Sequence, residues 1–412
     1  MIPSDSPLPG ADAPLRILVC PHELVTGGSQ INAIDLAARI RDRGHRVRVY
    51  APPGELQDLI ARRGLDFSAA PPFRGDSLRP AVVAALAREV GSFRPHIVHA
   101  YESGPSLAAN AVSLIEPQRN VTTVMSMSVP DFVPSHVPLF VGTAEIARRL
   151  PPRTGEVRLM EPPVDTEHDS PGNARAARGR LGIPADAFVV AVVGRLSKEH
   201  QKARGVASAI EELSRAVDAT TPGWLVVAGS GDDEELVRRA AASAAQRNPW
   251  LTVRLEGNVS DPRDVYDAAD VLFGMGSSAL RAMAHEKPLI VQGADGFWRL
   301  AAPDSIAQFL DEGFFGTGPT GAGFAETVSM LRQDPSRREE LGRFGRTLVE
   351  SRFSLRRATD VLEALYRTEA ARPPRRMIAS GTRSLLRYGK FRLAMASPRL
   401  QRAYRRVRGR HG

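Results

Sequence analysis

Residues 270–291, DVLFGMGSSALRAMAHEKPLIV, hold the densest arrangement of groups suited to an anion. Residues 270–273 predict a short apolar strand of the kind buried in a parallel sheet. Gly274 and Gly276 let the chain turn sharply and approach a ligand closely. Ser277 and Ser278 are good N-cap residues, and the run to Ala284 forms helix readily until Pro288 stops it. Strand, glycine turn and helix N-terminus aim unpaired amides and the positive end of the helix dipole at one point, which suits a phosphate. A plain strand–turn–helix connection has the same spacing. A second cluster, GRLSKEHQKARG, follows a predicted buried strand at 187–193. There Arg195 can grip a diphosphate with its planar fork, and Lys202, or Arg204, can add a compact charge. Together such groups can hold a diphosphate.

Loops of this kind need strands and helices to present them, and the chain supplies repeated strand–helix units. Strands are predicted at 15–20, 45–50, 97–100, 121–127 and 139–142, then at 187–193, 224–228, 253–257, 270–273 and 289–291. Ala33, Leu36, Ala37 and Ile40 line one face of the first intervening helix, and further helices are expected at 55–63, 79–90, 144–150, 262–269, 322–333, 336–350 and from 354. Alternation of this kind argues for an α/β protein with doubly wound parallel sheets, whose ligand-facing loops leave the C-terminal strand ends. His99 ends such a strand, where it can orient a sugar or a phosphate, or be satisfied within its own loop. In QGADGFWRL, Phe297 and Trp298 can stack on a ligand ring or pack under the loop.

At 412 residues the chain has room for two domains and a tail, with the 42% hydrophobic and 25% charged composition of a globular protein. The one cysteine, Cys20, rules out an internal disulfide or a thiolate metal cluster. No apolar run is long enough to span a bilayer. Residues 1–14 lack the basic start and apolar stretch of a signal peptide and predict a disordered leader. The net charge of +9 is unevenly spread: thirteen Lys and Arg and no Asp or Glu follow Ala370, which leaves −4 for the residues before.

Taken in order, these segments resemble family 4 glycosyltransferases of the GT-B fold over roughly 15–370. GGSQINAIDLAARIRDRGHRVRVYAP is similar to the family's opening, in which Gly27 and Gly28 would lie beneath the donor diphosphate. HIVHAYES resembles a motif of His-x-His followed by Glu, which makes His99, Tyr101 in place of the second histidine, and Glu102 candidates for the reacting centre. GRLSKEHQKARG resembles the family's Gly-Arg-Leu … Lys-Gly element, carrying Arg195 and Lys202. Gly257, Asn258 and Val259 match a segment that contacts the nucleotide base through main-chain groups. Residues 270–291 resemble the donor-site segment, so Gly274, Gly276, Ser277 and Ser278 would take the diphosphate.

The resemblance implies two Rossmann-like doubly wound domains facing across a cleft. They would be an acceptor domain at 15–166 and a nucleotide-sugar donor domain at 187–353, joined by a linker at 167–186. A crossover helix at 354–370 would return to the first domain, followed by a basic tail at 371–412. It also implies transfer from a nucleotide-diphosphate sugar as co-substrate, with retention at the anomeric carbon and with no cofactor or metal. The absence of an Asp-x-Asp pair agrees with the last point.

The family's donor segment carries two glutamates eight positions apart, where this chain has Phe273 and Arg281. An arginine has only donors and cannot accept from a ribose diol, but it can face phosphate. Three readings stay open: an active transferase holding its donor through Arg195, Lys202, Arg281 and main-chain amides; a transferase with another donor, such as a polyprenyl-phosphate or acidic sugar; and a degenerate partner protein that binds without catalysis. The acceptor, lipid-linked or a small molecule, is not identified. In the tail, Gly381, Gly389 and Pro398 predict short amphipathic segments at most. Its arginines, interleaved with Leu386, Tyr388, Phe391 and Leu393, point to an anionic membrane surface, and so to a cytoplasmic protein placed peripherally on the inner face. A solvated end is the other reading, and the acidic body speaks against nucleic acid.

Overall fold

The computed structural model describes residues 10, 13–72, 78–126, 128–374 and 376–396, so most of the expected leader lies outside the described residues. The chain divides into two units, Met1–Pro162 with Leu355–Gly412, and Pro163–Ser354. Each is a Rossmann-like α/β sandwich built on a mainly parallel sheet.

The first unit runs β1 (Arg16–Cys20), α1 (Gly28–Asp42), β2 (Arg46–Ala51), α2 (Gln57–Arg62), β3 (Asp66–Ala69), α3 (Pro80–Phe93), β4 (Ile97–Tyr101), α4 (Ser103–Ile115), β5 (Asn120–Val124), β6 (Leu139–Val141), α5 (Ala144–Arg148) and β7 (Val157–Leu159). Its seven strands lie in the order β3-β2-β1-β4-β5-β6-β7, all parallel. Both faces are covered, which is why the strands read as apolar runs rather than as alternating ones. In β1, Ile17 and Val19 join the core beneath α1, while Leu18 and Cys20 join the core beneath α3 and α4.

The second unit begins with α6 (Ala174–Arg180) and continues through β8 (Val189–Val193), α7 (Lys202–Ala216), β9 (Gly223–Ala228), α8 (Glu234–Arg247), β10 (Leu251–Gly257), α9 (Arg263–Ala268), β11 (Val271–Gly274), α10 (Gly276–Ala284), β12 (Leu289–Gln292), β13 (Trp298–Leu300), α11 (Ile306–Glu312), α12 (Phe324–Gln333) and α13 (Pro335–Leu348). The order is β10-β9-β8-β11-β12-β13, and only β13 is antiparallel to its neighbour. The 167–186 stretch carries α6 where an irregular linker is expected. Asn173 caps this helix through the amide of Ala176 at 2.9 Å, and buried Arg178 reaches the carbonyl of Ala268 and the carboxylate of Asp270.

The chain then returns to the first unit. In α14 (Leu355–Ala370), Leu355, Leu362, Leu365 and Tyr366 enter the core beneath α1. The tail departs from expectation: α15 (Ile378–Met395) is one helix of 18 residues that runs through both Gly381 and Gly389. A glycine costs a helix only about 1 kcal/mol, and Gly381 has a packing reason to be there. A Cβ at that position would stand 2.9 Å from a Leu114 methyl and 3.0 Å from Asn110 Oδ1 of α4. Asn110 donates to the Gly381 carbonyl at 3.1 Å, and Phe132 packs against both Tyr388 and Phe391. Pro398 lies outside the described residues. Among the described residues, no helix is long and apolar enough to cross a membrane.

Candidate functional site

In the second unit the strand order reverses between β8 and β11, and the crevice outside the C-terminal ends of two such strands is where open α/β sheets take ligands. The loop after β8 carries Arg195, and the turn after β11 opens α10. Glycines allow the loops here to close on one another. At Gly229, with φ +148°, a Cβ would fall 1.8 Å from the Gly194 carbonyl, and at Gly231 one would fall 2.2 Å from the Leu196 carbonyl. The Leu196 amide donates to Ser230 at 2.9 Å, and the Gly229 amide to Gly257 at 2.7 Å. The ends of β8, β9 and β10 are thereby tied into one rim, with Gly257, exposed Asn258 and Val259 at its outer end.

Arg195 is exposed on this rim, and Lys202 opens α7 directly after two residues in left-handed conformation, His200 (φ +52°) and Gln201 (φ +55°). Non-glycine residues rarely hold that conformation unless their surroundings fix it. Here Gln201 donates to Asp295 at 2.9 Å, and the His200 ring lies 5.1 Å from that of Phe315. Burial lowers the Lys202 pKa; nearby Glu199 opposes that shift, and the positive field of Arg195 adds to it. Arg195 and Lys202 therefore share one electrostatic neighbourhood. Arg204 is exposed along α7.

The turn after β11 differs in detail from its expected form. Met275 is the N-cap, so Ser277 and Ser278 lie within the first turn instead of capping it. Gly276 enters the helix at φ +59°, its amide donating to the Phe314 carbonyl at 2.9 Å. The amides of Ser277 and Ser278 are first-turn donors with no carbonyl four residues back in the helix. Ser278 Oγ donates to the Met275 carbonyl at 3.0 Å, and a Cβ on Gly194 would stand 3.9 Å from that oxygen, so α10's first turn adjoins the loop that carries Arg195. Gly274, Gly276, Ser277, Ser278, Arg195 and Lys202 are thus brought to one edge.

Arg281 is not part of this constellation. It lies in the second turn of α10, and its Nε is ion-paired with Asp169 at 3.3 Å. Asp169, which falls in the stretch expected to be linker, lies 3.9 Å from His285 Nε2, while His285 Nδ1 bonds Asp267 at 2.7 Å and the Tyr266 ring stacks on the imidazole at 4.9 Å. Burial alone would lower the His285 pKa, but the Asp169 carboxylate 3.9 Å away and the hydrogen bond to Asp267 hold it above the usual histidine value. Burial acts to raise the Asp169 pKa; the nearby imidazole of His285 and the charge of Arg281 outweigh it and hold the carboxyl below its usual range. Arg281 is thus anchored by a buried charge cluster. Phe273 is core: its ring meets Trp298 edge-on at 5.8 Å and Phe324 at 4.9 Å. Phe297 and Trp298 are buried as well, which settles them as packing residues.

In the first unit the order reverses between β1 and β4; Gly27 and Gly28 follow the loop that leaves β1, and Tyr101 and Glu102 lie at the end of β4. Gly27 is the N-cap of α1 and Gly28 its first residue. Glu102, at φ +70°, accepts from Ser29 Oγ at 3.1 Å, the Met125 amide at 2.9 Å and Ser126 Oγ at 2.7 Å, which braces three loops together. His99 does not take the role expected of it. It is fully buried, with one ring nitrogen 2.6 Å from Tyr366 Oη and the other 2.7 Å from Thr123 Oγ1. Tyr101 is buried beside it, ring centroids 4.5 Å apart, and burial raises its phenol pKa. Both are buried polar groups of the core, and the hydrogen-bond partners of His99 lie far along the chain. Burial pushes the His99 pKa down to about 3, so its imidazole resonances should stay those of a neutral ring in an NMR titration down to pH ~4.5. Titration near pH ~6.5, the value of a solvated imidazole, would show that the ring reaches water.

Residues 26–127 match the family model described as Glycosyltransferase Family 4, and residues 187–331 the model described as Glycosyl transferases group 1. A phosphatidyl-myo-inositol mannosyltransferase of Mycobacterium tuberculosis H37Rv is 27% identical over 319 residues, 71% of this chain and 81% of that one. A D-inositol 3-phosphate glycosyltransferase of Saccharomonospora viridis is 32% identical over 231 residues, 52% of this chain and 51% of its own. Among solved structures, a Rickettsia africae glycosyltransferase superposes with TM-score 0.69 at 15% identity, covering 86% of this chain and 98% of that one. An Anabaena protein in complex with UDP-glucose gives 0.66 at 15% identity, covering 85% and 99%. At that identity the likeness speaks to fold alone.

Proposed function

We infer that this chain, which belongs to glycosyltransferase family 4 and has the GT-B fold, transfers a sugar from a nucleotide-diphosphate donor to a hydroxyl acceptor, with retention and without a metal. The observation that carries the reading is the placement of Arg195, Lys202 and the first turn of α10 at the switch point between β8 and β11. In the reaction, the bond from the anomeric carbon to the diphosphate oxygen breaks and the acceptor oxygen takes its place on the same face. The departing diphosphate gains negative charge, which the two cations and the α10 amides are placed to stabilise. The acceptor hydroxyl gives up its proton, for which the leaving phosphate is a suitable base.

A hexose is the donor sugar this reading favours, since one named relative is a mannosyltransferase, and the names of both relatives include an inositol compound. Inositol phosphates and inositol lipids are accordingly the first acceptors to try. The test is a matrix of UDP-, GDP-, ADP- and dTDP-hexoses against those acceptors, scored for glycosylated product and anomeric configuration, with and without a chelator. One retained product insensitive to chelation is the expected result. An inverted product, or transfer abolished by chelation, would overturn those parts of the reading.

A second reading is favoured by Phe273 and Arg281, which occupy the places of the family's two glutamates and are committed to core packing and to the Asp169 cluster. On it the chain binds nucleotide without catalysis, and the same matrix would show nucleotide binding but no product with any pair.

A further inference from the structure

α15 has two unlike faces. The inward face, with Gly381, Ser384, Tyr388 and Phe391, is pinned to the first unit through α4 and Phe132. Ser384 donates to the Phe132 carbonyl, and Tyr388 Oη accepts from the Leu78 amide at 2.8 Å. The opposite face carries Ile378, Leu386 and Leu393, which are 62%, 64% and 69% exposed. Spacings of eight and seven residues put these three on one side of a 3.6-residue helix. Arg383, Arg387, Lys390 and Arg392 are exposed on the same helix, and Arg383, Lys390 and Arg392 have no carboxylate partner among the described residues. Ile115, one residue beyond the Leu114 that Gly381 packs against, is 68% exposed as well.

Three large aliphatic side chains bordered by cations, on a helix held rigidly by its other face, do not suit water. They match a surface that is apolar a few ångströms below an anionic plane. The charge distribution supports the same partner. From Ala371 on there are thirteen cations and no acidic side chain, six of those cations in residues 397–412, against −4 for the rest of the chain. An anionic surface would therefore attract the tail and not the rest of the chain. Nucleic acid would take up the arginines but leaves the leucines without a role. We propose that the outward face of α15 docks the protein on an anionic lipid surface, Ile378, Leu386 and Leu393 entering the interface and the flanking cations pairing with lipid phosphates. This holds whichever donor and acceptor the site takes.

The test is vesicle flotation of the full chain with phosphatidylcholine alone and with phosphatidylcholine–phosphatidylglycerol mixtures. The expected result is binding to the anionic vesicles only, weakened severalfold between about 0.05 M and 0.5 M salt as the charges are screened. Leu386→Asp with Leu393→Asp should lower the partition coefficient by about tenfold or more, because both leucines would otherwise bury several methylenes each. Both positions are exposed, so circular dichroism and the unfolding midpoint should match the parent. Trp250→Asp, at an exposed site in the second unit, should leave binding unchanged. Failure of the parent to float with anionic vesicles at low salt would overturn the proposal. Flotation of the double variant equal to that of the parent would do so too. Retention on RNA without flotation on any vesicle would name nucleic acid as the partner instead.

Discussion

Arg195→Ala should lower affinity for a nucleoside diphosphate by about tenfold or more, and sugar transfer by about 10²–10³-fold. The first figure follows from losing a charge-assisted, two-pronged bond to phosphate, worth roughly 1.5–3 kcal/mol. The second is larger because the diphosphate carries more charge as it departs than when bound, so the guanidinium acts more strongly in the transition state. Arg195 is exposed on the rim, so its truncation should leave the unfolding midpoint near that of the parent and the loss should be felt at the ligand. Lys202→Ala should act on the same step, and the double variant should fall short of the sum because the two cations share one neighbourhood. Nucleotide affinity unchanged in folded Arg195→Ala would remove this loop from the donor site.

The frame of both units was legible because parallel strands covered on two faces must be apolar throughout. β8 (VVAVV) and β11 (VLFG) are such runs, and glycines after them mark where the chain turns at the ligand edge. Short edge elements carry no such signal: β13 has three residues and joins its sheet antiparallel, and β7, also of three, is half-exposed. The helix through Gly381 is hidden from a local reading because glycine is locally a cost, whereas what places it is contact with Leu114 and Asn110, some 270 residues earlier. His99 illustrates the same limit for the site. Its position at a strand end suggested a ligand, but its partners are Thr123 and Tyr366, and no local spacing announces the second.

Arg281→Glu should destabilise the second unit by about 2–4 kcal/mol, against about 1–2 kcal/mol for Arg281→Ala. The guanidinium is a third exposed, so its pairing alone is worth less than a fully buried one. The glutamate adds a separate cost: it sets a new carboxylate against Asp169 in a site that already holds Asp267 beside His285. Arg346 cannot compensate directly, since its guanidinium donates to the carbonyls of Asp169, Ala284 and Thr166. The pH dependence separates this from a simple packing fault. In the parent, the lowered pKa of Asp169 contributes stability that is present above the unfolded carboxylate value of ~3.9 and lost as pH falls through the folded one. The raised pKa of His285 contributes stability that is full below its unfolded value of ~6.5 and lost as pH rises through the folded one. In the glutamate variant, two like charges side by side raise the proton affinity of one of them. Its deficit in denaturant midpoint, measured against Arg281→Ala, should therefore be greatest near pH 8 and shrink toward pH ~4.5, as a proton relieves the repulsion. A deficit independent of pH would point to packing. A variant as stable as the parent, with higher transfer from a nucleotide sugar, would show that Arg281 stands at a ribose contact and that its pairing with Asp169 is dispensable.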